Sequence, residues 1–284
     1  MIGEKAYVRR IGLVTMPTGP IKKKKGVSYI TESNIKWFAE RGIDILPIPY
    51  DTKQPESYFK KIHGLYLQGG PVYDAKYMHT VQRLLELAEW ANDHGEHFPV
   101  WGTCHGLQSM LMIYGRLALD GSDLGDFNSQ NSYMANLRIS VTEQRMSHML
   151  STFSPQFLKY LKKGEHVIFK HKHGLSPREF YANGSLPHIF RVIASTVDRD
   201  GKPYVSLIEG KKYPFYGAQF HPELVPALEP FRDFFVEEVM KNDRPKIHRR
   251  IKTFKRLYTS RKCATRRNKE YYKVFNNSDC YFFD

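Results

Sequence analysis

The segment Phe98-Pro-Val-Trp-Gly-Thr-Cys-His-Gly-Leu-Gln108 sets a thiol two residues from a glycine on either side, where an apolar strand pattern gives way to an apolar helical one. This G-x-C-x-G arrangement is the thiol counterpart of the G-x-S-x-G turn, whose glycines let the backbone pack closely enough to hold a nucleophile in a strained conformation. A helix starting just after Cys104 adds the partial positive charge of its first N–H groups, which favours a thiolate. Phe220-His-Pro-Glu223 offers the base at the end of another predicted strand. Its proline leaves His221 and Glu223 at alternate positions, so the carboxylate can hold the imidazole in the tautomer that accepts the thiol proton. Leu67-Gln-Gly-Gly-Pro71 follows a further predicted strand, and its glycines can bring backbone N–H groups to a developing oxyanion, with the N–H of His105 as second donor. Each segment alone has an ordinary reading: a small buried cysteine, a satisfied loop histidine, a Gly-Gly turn. Only the three together point to a Cys-His site.

The elements that must position these residues read as α/β. Short apolar runs at Ile11 to Val14, Ile43 to Ile48 and Leu65 to Leu67 are each followed by helical spacing, which predicts a mostly parallel sheet flanked by helices. The spacing predicts a helix over 78–94, with Val81, Leu84, Leu85, Leu87, Ala88 and Trp90 on its apolar side and Gly95 as its stop, and a second helix from Leu107 to Tyr114 ending at Gly115. Residues 120–180, rich in Ser, Asn and Asp, read as inserted loops and short strands. Arg191 to Thr196, Val205 to Glu209 and Tyr216 to Phe220 read as three strands, with a hairpin signal at Asp198-Arg-Asp-Gly201. A helix at about 229–241 precedes a basic tail. The division expected is a hydrolase-type domain over 1–242 and a basic extension over 243–284, packed on the same domain at its end.

Composition excludes several classes. Of the 284 residues 41% are hydrophobic and 14% aromatic, which is a folded rather than a disordered composition. No stretch of 18 apolar residues occurs, arguing against a membrane span, and the first residues contain no signal-peptide apolar region. The three cysteines, 104, 263 and 280, have no C-x-x-C spacing. These features together favour a reducing, cytoplasmic setting. The net charge of +14 is local: residues 241–273 hold 14 Lys and Arg against Asp243 and Glu270, a net +12, leaving +2 elsewhere. The body therefore gives no electrostatic reason to bind nucleic acid, whereas weak, salt-sensitive contact with nucleic acid or another polyanion is expected of 241–273.

Taken together, Gln68-Gly-Gly70, Gly102-Thr-Cys-His-Gly106 and Gln219-Phe-His-Pro-Glu223 resemble the class I glutamine-amidotransferase superfamily in order and spacing. Phe98-Pro-Val-Trp-Gly-Thr-Cys104, Glu209-Gly-Lys-Lys-Tyr-Pro-Phe-Tyr-Gly-Ala-Gln219 and Cys280-Tyr-Phe-Phe-Asp284 look most like its γ-glutamyl hydrolase branch. The resemblance implies a flavodoxin-like fold and a cofactor-free, metal-free cleavage of γ-glutamyl amides, folylpoly-γ-glutamates foremost, through a γ-glutamyl thioester. It implies Cys104 as nucleophile, His221 as the proton carrier and Glu223 as its orienting residue, with Gly70 and His105 at the oxyanion. Tyr29 and His171 fall near the substrate by the same resemblance; His173 competes for the second place, and a helix residue packed on the sheet is the plain reading of Tyr29. The chain departs from the branch in its missing signal peptide, in its basic tail and in His105, which replaces a less polar residue. Two alternatives stand beside this reading: a glutaminase subunit feeding ammonia to a partner, and an inactive hydrolase body that binds polyanions through its tail. A homodimer is left open.

Overall fold

The computed structural model describes residues 7–18, 26–164, 166–248, 260–262 and 279–284. Seven strands form the main sheet: β1 (Arg10–Val14), β2 (Asp44–Ile48), β3 (Gly64–Leu67), β4 (Val100–Thr103), β5 (Phe190–Val197), β6 (Pro203–Gly210) and β7 (Phe215–Ala218). Their spatial order is β5-β6-β7-β4-β3-β1-β2. The run from β7 to β2 is parallel, and β5 and β6 extend it as an antiparallel edge. The mostly parallel α/β sheet expected from the alternating pattern is what forms.

Burial explains why those runs were continuous and apolar. Every residue of β3, β4 and β7 is buried, because helices cover both faces of a parallel sheet. Successive side chains go to opposite layers. Leu65, Leu67 and Val100 join the core beneath helices Ala75–Asp93 and His105–Gly115, while Tyr66 and Trp101 join the one beneath Glu32–Ala39 and Glu229–Met240.

Four expectations need correction. Trp90 is not on the buried face of its helix: it is 59% exposed and stacks on His94 with ring centroids 4.1 Å apart. The helix itself begins earlier than its apolar spacing, at Ala75, because the Asp74 side chain accepts from the N–H groups of Lys76 and Tyr77. Residues 120–180 contain an 11-residue strand, Gly125–Ala135, paired antiparallel with Val167–Gly174, and three helices lie between them. Most polar residues of the first strand, Asp126, Asn128, Gln130 and Asn131 among them, look outward while Ser129 is buried, so its composition reads as loop. Tyr29 lies in a strand, Ser28–Thr31, and not in a helix.

That strand belongs to a second, four-stranded sheet, in which Ser28–Thr31 sits between Met16–Pro17 and Asp279–Phe283, with Ser260–Lys262 outermost. Tyr29 thus has Met16 on one side and Phe282 on the other. Most of the basic window 241–273 lies outside the described residues, and so does the polyanion contact expected of it. Among the described residues no helix is long and apolar enough to cross a membrane.

Candidate active site

The C-terminal ends of the parallel strands converge on one edge of the sheet, where open α/β sheets place their ligands. β3 runs into Gln68-Gly69-Gly70, β4 into Cys104 and β7 into Gln219-Phe220-His221. The register Gly217↔Gly102 and Ala218↔Thr103 puts the last two neighbours side by side, and the N–H of Cys104 donates to the carbonyl of Ala218 at 2.7 Å.

Cys104 has φ 53° and ψ −104°, a conformation costly for any residue with a side chain, and helix His105–Gly115 starts immediately after it. The thiol is nearly buried, at 5% exposure. His221 Nδ1 is 2.7 Å from Glu223 Oε1, which leaves Nε2 for the sulfur. Burial opposes a charge on this imidazole. The carboxylate of Glu223 and the hydrogen-bonded Cys104 outweigh it, and the pKa of His221 is raised to about 10. The arrangement therefore favours an imidazolium beside the sulfur, the form in which a cysteine acts as nucleophile.

Gly69 is the closer of the two glycines to this pair. A β-carbon on it would stand 2.8 Å from His221 Cε1 and 3.3 Å from Cys104 Cβ, whereas one on Gly70 would strike Met16. The loop is held by Gln68, fully buried, whose Nε2 donates to the carbonyl of Tyr29 at 2.9 Å and whose Oε1 accepts from the N–H of Thr31 at 3.2 Å. Gln68 connects to a chain of buried hydrogen bonds behind Cys104. Trp101 Nε1 donates to Thr103 Oγ1 at 3.0 Å, and the Tyr66 hydroxyl lies 2.9 Å from both Thr103 Oγ1 and Asn34 Oδ1. Asn34 Nδ2 then donates to Thr31 Oγ1 at 2.7 Å and to Gln68 Oε1 at 3.2 Å. Spacing alone did not single out these polar residues. Gln68 and Thr103 were visible only as parts of the motifs beside Gly69 and Cys104.

His105 packs its ring against two tyrosines. The imidazole is fully buried between Tyr73 and Tyr77, at centroid distances of 4.9 and 5.3 Å, and burial lowers its pKa to about 4. Its backbone N–H remains at the head of the helix. Tyr29 is buried and lends its carbonyl to Gln68. His171 is buried as well: Nδ1 donates to the carbonyl of His173 at 2.9 Å, and the ring meets Tyr204 edge-on at 4.7 Å. Burial lowers its pKa to about 3, so it is neutral at ordinary pH with an unprotonated Nε2. His173 instead pairs at the surface with Asp126 at 2.9 Å. Its carbonyl accepts from Gln108 Nε2, which also reaches Gln219 Oε1, so two glutamines of the quoted motifs meet between Cys104 and the strand Val167–Gly174. Among the described residues no group of three or more His, Cys, Asp or Glu is placed to hold a metal.

The profile of the class-I glutamine amidotransferase family matches residues 27–238. Human γ-glutamyl hydrolase is 32% identical over 246 residues, covering 78% of this chain and 74% of that protein. The chain belongs to the γ-glutamyl hydrolase family. γ-Glutamyl hydrolase B of Dictyostelium discoideum is 30% identical, with 82% of this chain and 72% of that one covered. γ-Glutamyl hydrolase 1 of Arabidopsis thaliana is 31% identical over 75% of this chain, which spans 62% of that relative's length. Among solved structures, a GMP synthase subunit from Thermoplasma acidophilum superposes with a TM-score of 0.53 at 16% identity, over 83% of this chain and 96% of that one, a likeness of fold. The elbow, the His-Glu pair and the Gly-Gly loop of this γ-glutamyl hydrolase family member all lie within the matched span.

Proposed function

We propose that the protein hydrolyses γ-glutamyl amide bonds through a thioester on Cys104, with folylpoly-γ-glutamates as the first substrates to try. The observation that carries this reading is the largely enclosed His221, held at 2.7 Å by Glu223 and hydrogen-bonded to Cys104 in a strained elbow. The thiolate attacks the γ-carbonyl carbon, and the carbonyl electron pair moves onto oxygen. The backbone N–H groups of Gly70 and His105 receive that oxyanion. A donor of this kind is worth roughly 3 kcal/mol of barrier. Collapse breaks the C–N bond while the His221 proton passes to the departing amine. Water then attacks the thioester carbonyl, His221 takes its proton, and glutamate or a γ-glutamyl peptide leaves as the thiolate returns. Tyr29 and His171 contribute as walls of the acyl site.

Release of glutamate or γ-glutamyl peptide from a pteroylpoly-γ-glutamate under reducing conditions, by the intact protein and not by Cys104→Ala, is the expected result. Ammonia release from glutamine without cleavage of γ-glutamyl peptides would replace this reading by a glutaminase.

A further inference from the structure

The strand Val167–Gly174 carries four titratable side chains past the site, Lys170, His171, Lys172 and His173, and three of them have partners: His171 Nδ1 already donates to the carbonyl of His173. Lys172 Nζ lies 2.9 Å from Asp126 Oδ2, and His173 shares the same carboxylate. Lys170 is the exception. It is half-buried, yet among the described residues its ammonium has neither an ion pair nor a hydrogen bond. A partly desolvated ammonium without a counter-ion is a cost that folded proteins rarely carry without a use.

Its position tells what the use is. The N–H of His221 donates to the carbonyl of Ile168 at 2.9 Å, so this strand runs directly against the catalytic loop. Val167, Phe169 and His171 are the buried side of the strand, and Ile168 and Lys170 share the other. Lys170 therefore stands one strand repeat beyond the His221 contact. Its charge is felt by both Glu223 and Cys104, while burial lowers its pKa. Glu223 is already engaged by His221, and no other carboxylate side chain approaches Lys170 closely enough to pair with it among the described residues.

Resting on the γ-glutamyl reading above, we infer that Lys170 is the receptor for the α-carboxylate of the γ-glutamyl group whose carbonyl Cys104 attacks. A glutamate joined through its side chain keeps that carboxylate free, a few bonds from the scissile carbon. A flexible four-carbon stem bearing a point charge suits such a short span. Peptide-bound glutamine offers the same side-chain amide, but its α-carboxyl is consumed in the backbone. Lys170 thus selects γ-linked glutamate with a free α-carboxylate and rejects ordinary glutaminyl peptides. Lys170 is a specificity residue in this scheme and performs no proton transfer.

Two measurements test it, and the first does not require turnover. Cys104 is alkylated with iodoacetate, which carries a carboxylate, and with neutral iodoacetamide, Cys104→Ala serving as the blank. Lys170→Met is expected to slow iodoacetate about tenfold relative to iodoacetamide, as removal of one partly desolvated attraction predicts. Lys170→Arg is expected to keep most of the preference. The second measurement compares γ-glutamyl-p-nitroanilide with its α-carboxamide, whose leaving groups are identical. The wild type should favour the free carboxylate, and Lys170→Met should erase that preference mainly through KM. Equal slowing of both alkylating agents would mean that Lys170 tunes the thiolate, and the inference falls. An unchanged substrate preference in Lys170→Met also overturns it. If the wild type cleaves neither anilide while the alkylation ratio still shifts, the receptor stands and the hydrolase reading fails.

Discussion

A β-carbon on Gly106 would stand 2.2 Å from the carbonyl oxygen of Leu67, so the first turn after Cys104 lies flat against the end of β3. A β-carbon on Gly102 would stand 2.6 Å from the carbonyl carbon of Gly106. Both obstacles are backbone and neither can swing away. Gly106→Ala should therefore cost about 1–3 kcal/mol or more, as overpacking does, and lower the melting temperature by several degrees in a thermal scan. At Gly69 the obstacle is the His221 ring. Gly69→Ala is expected to melt close to the wild type while kcat/KM falls about a hundredfold, the size of loss that a small misplacement of catalytic groups produces. Equal melting of all three proteins would refute the backbone-contact account.

Cys104 stores strain at φ 53°. Glycine accepts such a conformation at little cost, whereas alanine does not. Cys104→Gly should consequently melt above Cys104→Ala, by an amount on the order of 1 kcal/mol, with both variants inactive. Elsewhere in a folded chain glycine is usually the less stable of the two. The reverse order in paired melts would show that the elbow is relaxed.

Glu223 decides how long His221 keeps its proton. With its pKa raised to about 10, the imidazolium and its interactions are present below the unfolded value near 6.5 and are lost as pH rises through about 10. The alkaline limb of kcat/KM should therefore lie near pH 10. Glu223→Gln removes the largest favourable contribution to that charge, and should bring the limb toward neutrality and lower the plateau roughly 10–100-fold. A limb that stays in place in the variant would assign it to another group.

His171 and His105 work in the opposite direction. Burial lowers their pKa values to about 3 and about 4, so both are neutral in the folded protein, whereas the unfolded chain takes up protons below about pH 6.5. Their contribution to stability is complete above that pH and is lost progressively down to pH 3–4. His171→Phe keeps a ring against Tyr204 and Phe169 and removes one of the two titrations. The drop in melting temperature between pH 7 and pH 5 should be smaller in this variant than in the wild type.

The central strands were legible because burial on both faces demands uninterrupted apolar runs, as in Val100-Trp-Gly-Thr103. Cys104, His221 and Glu223 were legible as candidates because strand ends and flanking glycine or proline mark sharp turns, and the fold brings those three together. Tyr29 was harder to place. Its strand is completed by Asp279–Phe283, and pairing between distant segments leaves no local periodicity. Gly125–Ala135 was missed because a strand with an open polar face has the composition of a loop. Trp90 misled because an aromatic at helical spacing is normally buried. Lys170 stood inside a Lys/His-rich stretch, and only the structure separates it from Lys172, which pairs with Asp126 while Lys170 has no carboxylate partner among the described residues.

The pairing of Tyr29 with Phe282 has a consequence for the order in which the molecule assembles. The seven-stranded sheet draws its parallel strands from residues 10 to 218, whereas the wall beside Gln68 needs two segments from nearly opposite ends of the sequence. Closing so long a loop is among the slower contributions to a folding rate. During synthesis the nucleophile elbow is thus made long before its surroundings are finished. Until Asp279–Phe283 pairs with Ser28–Thr31, the wall beside Gln68 and Cys104 lacks one of its strands, so completing the pocket is a long-range and therefore slow step of folding.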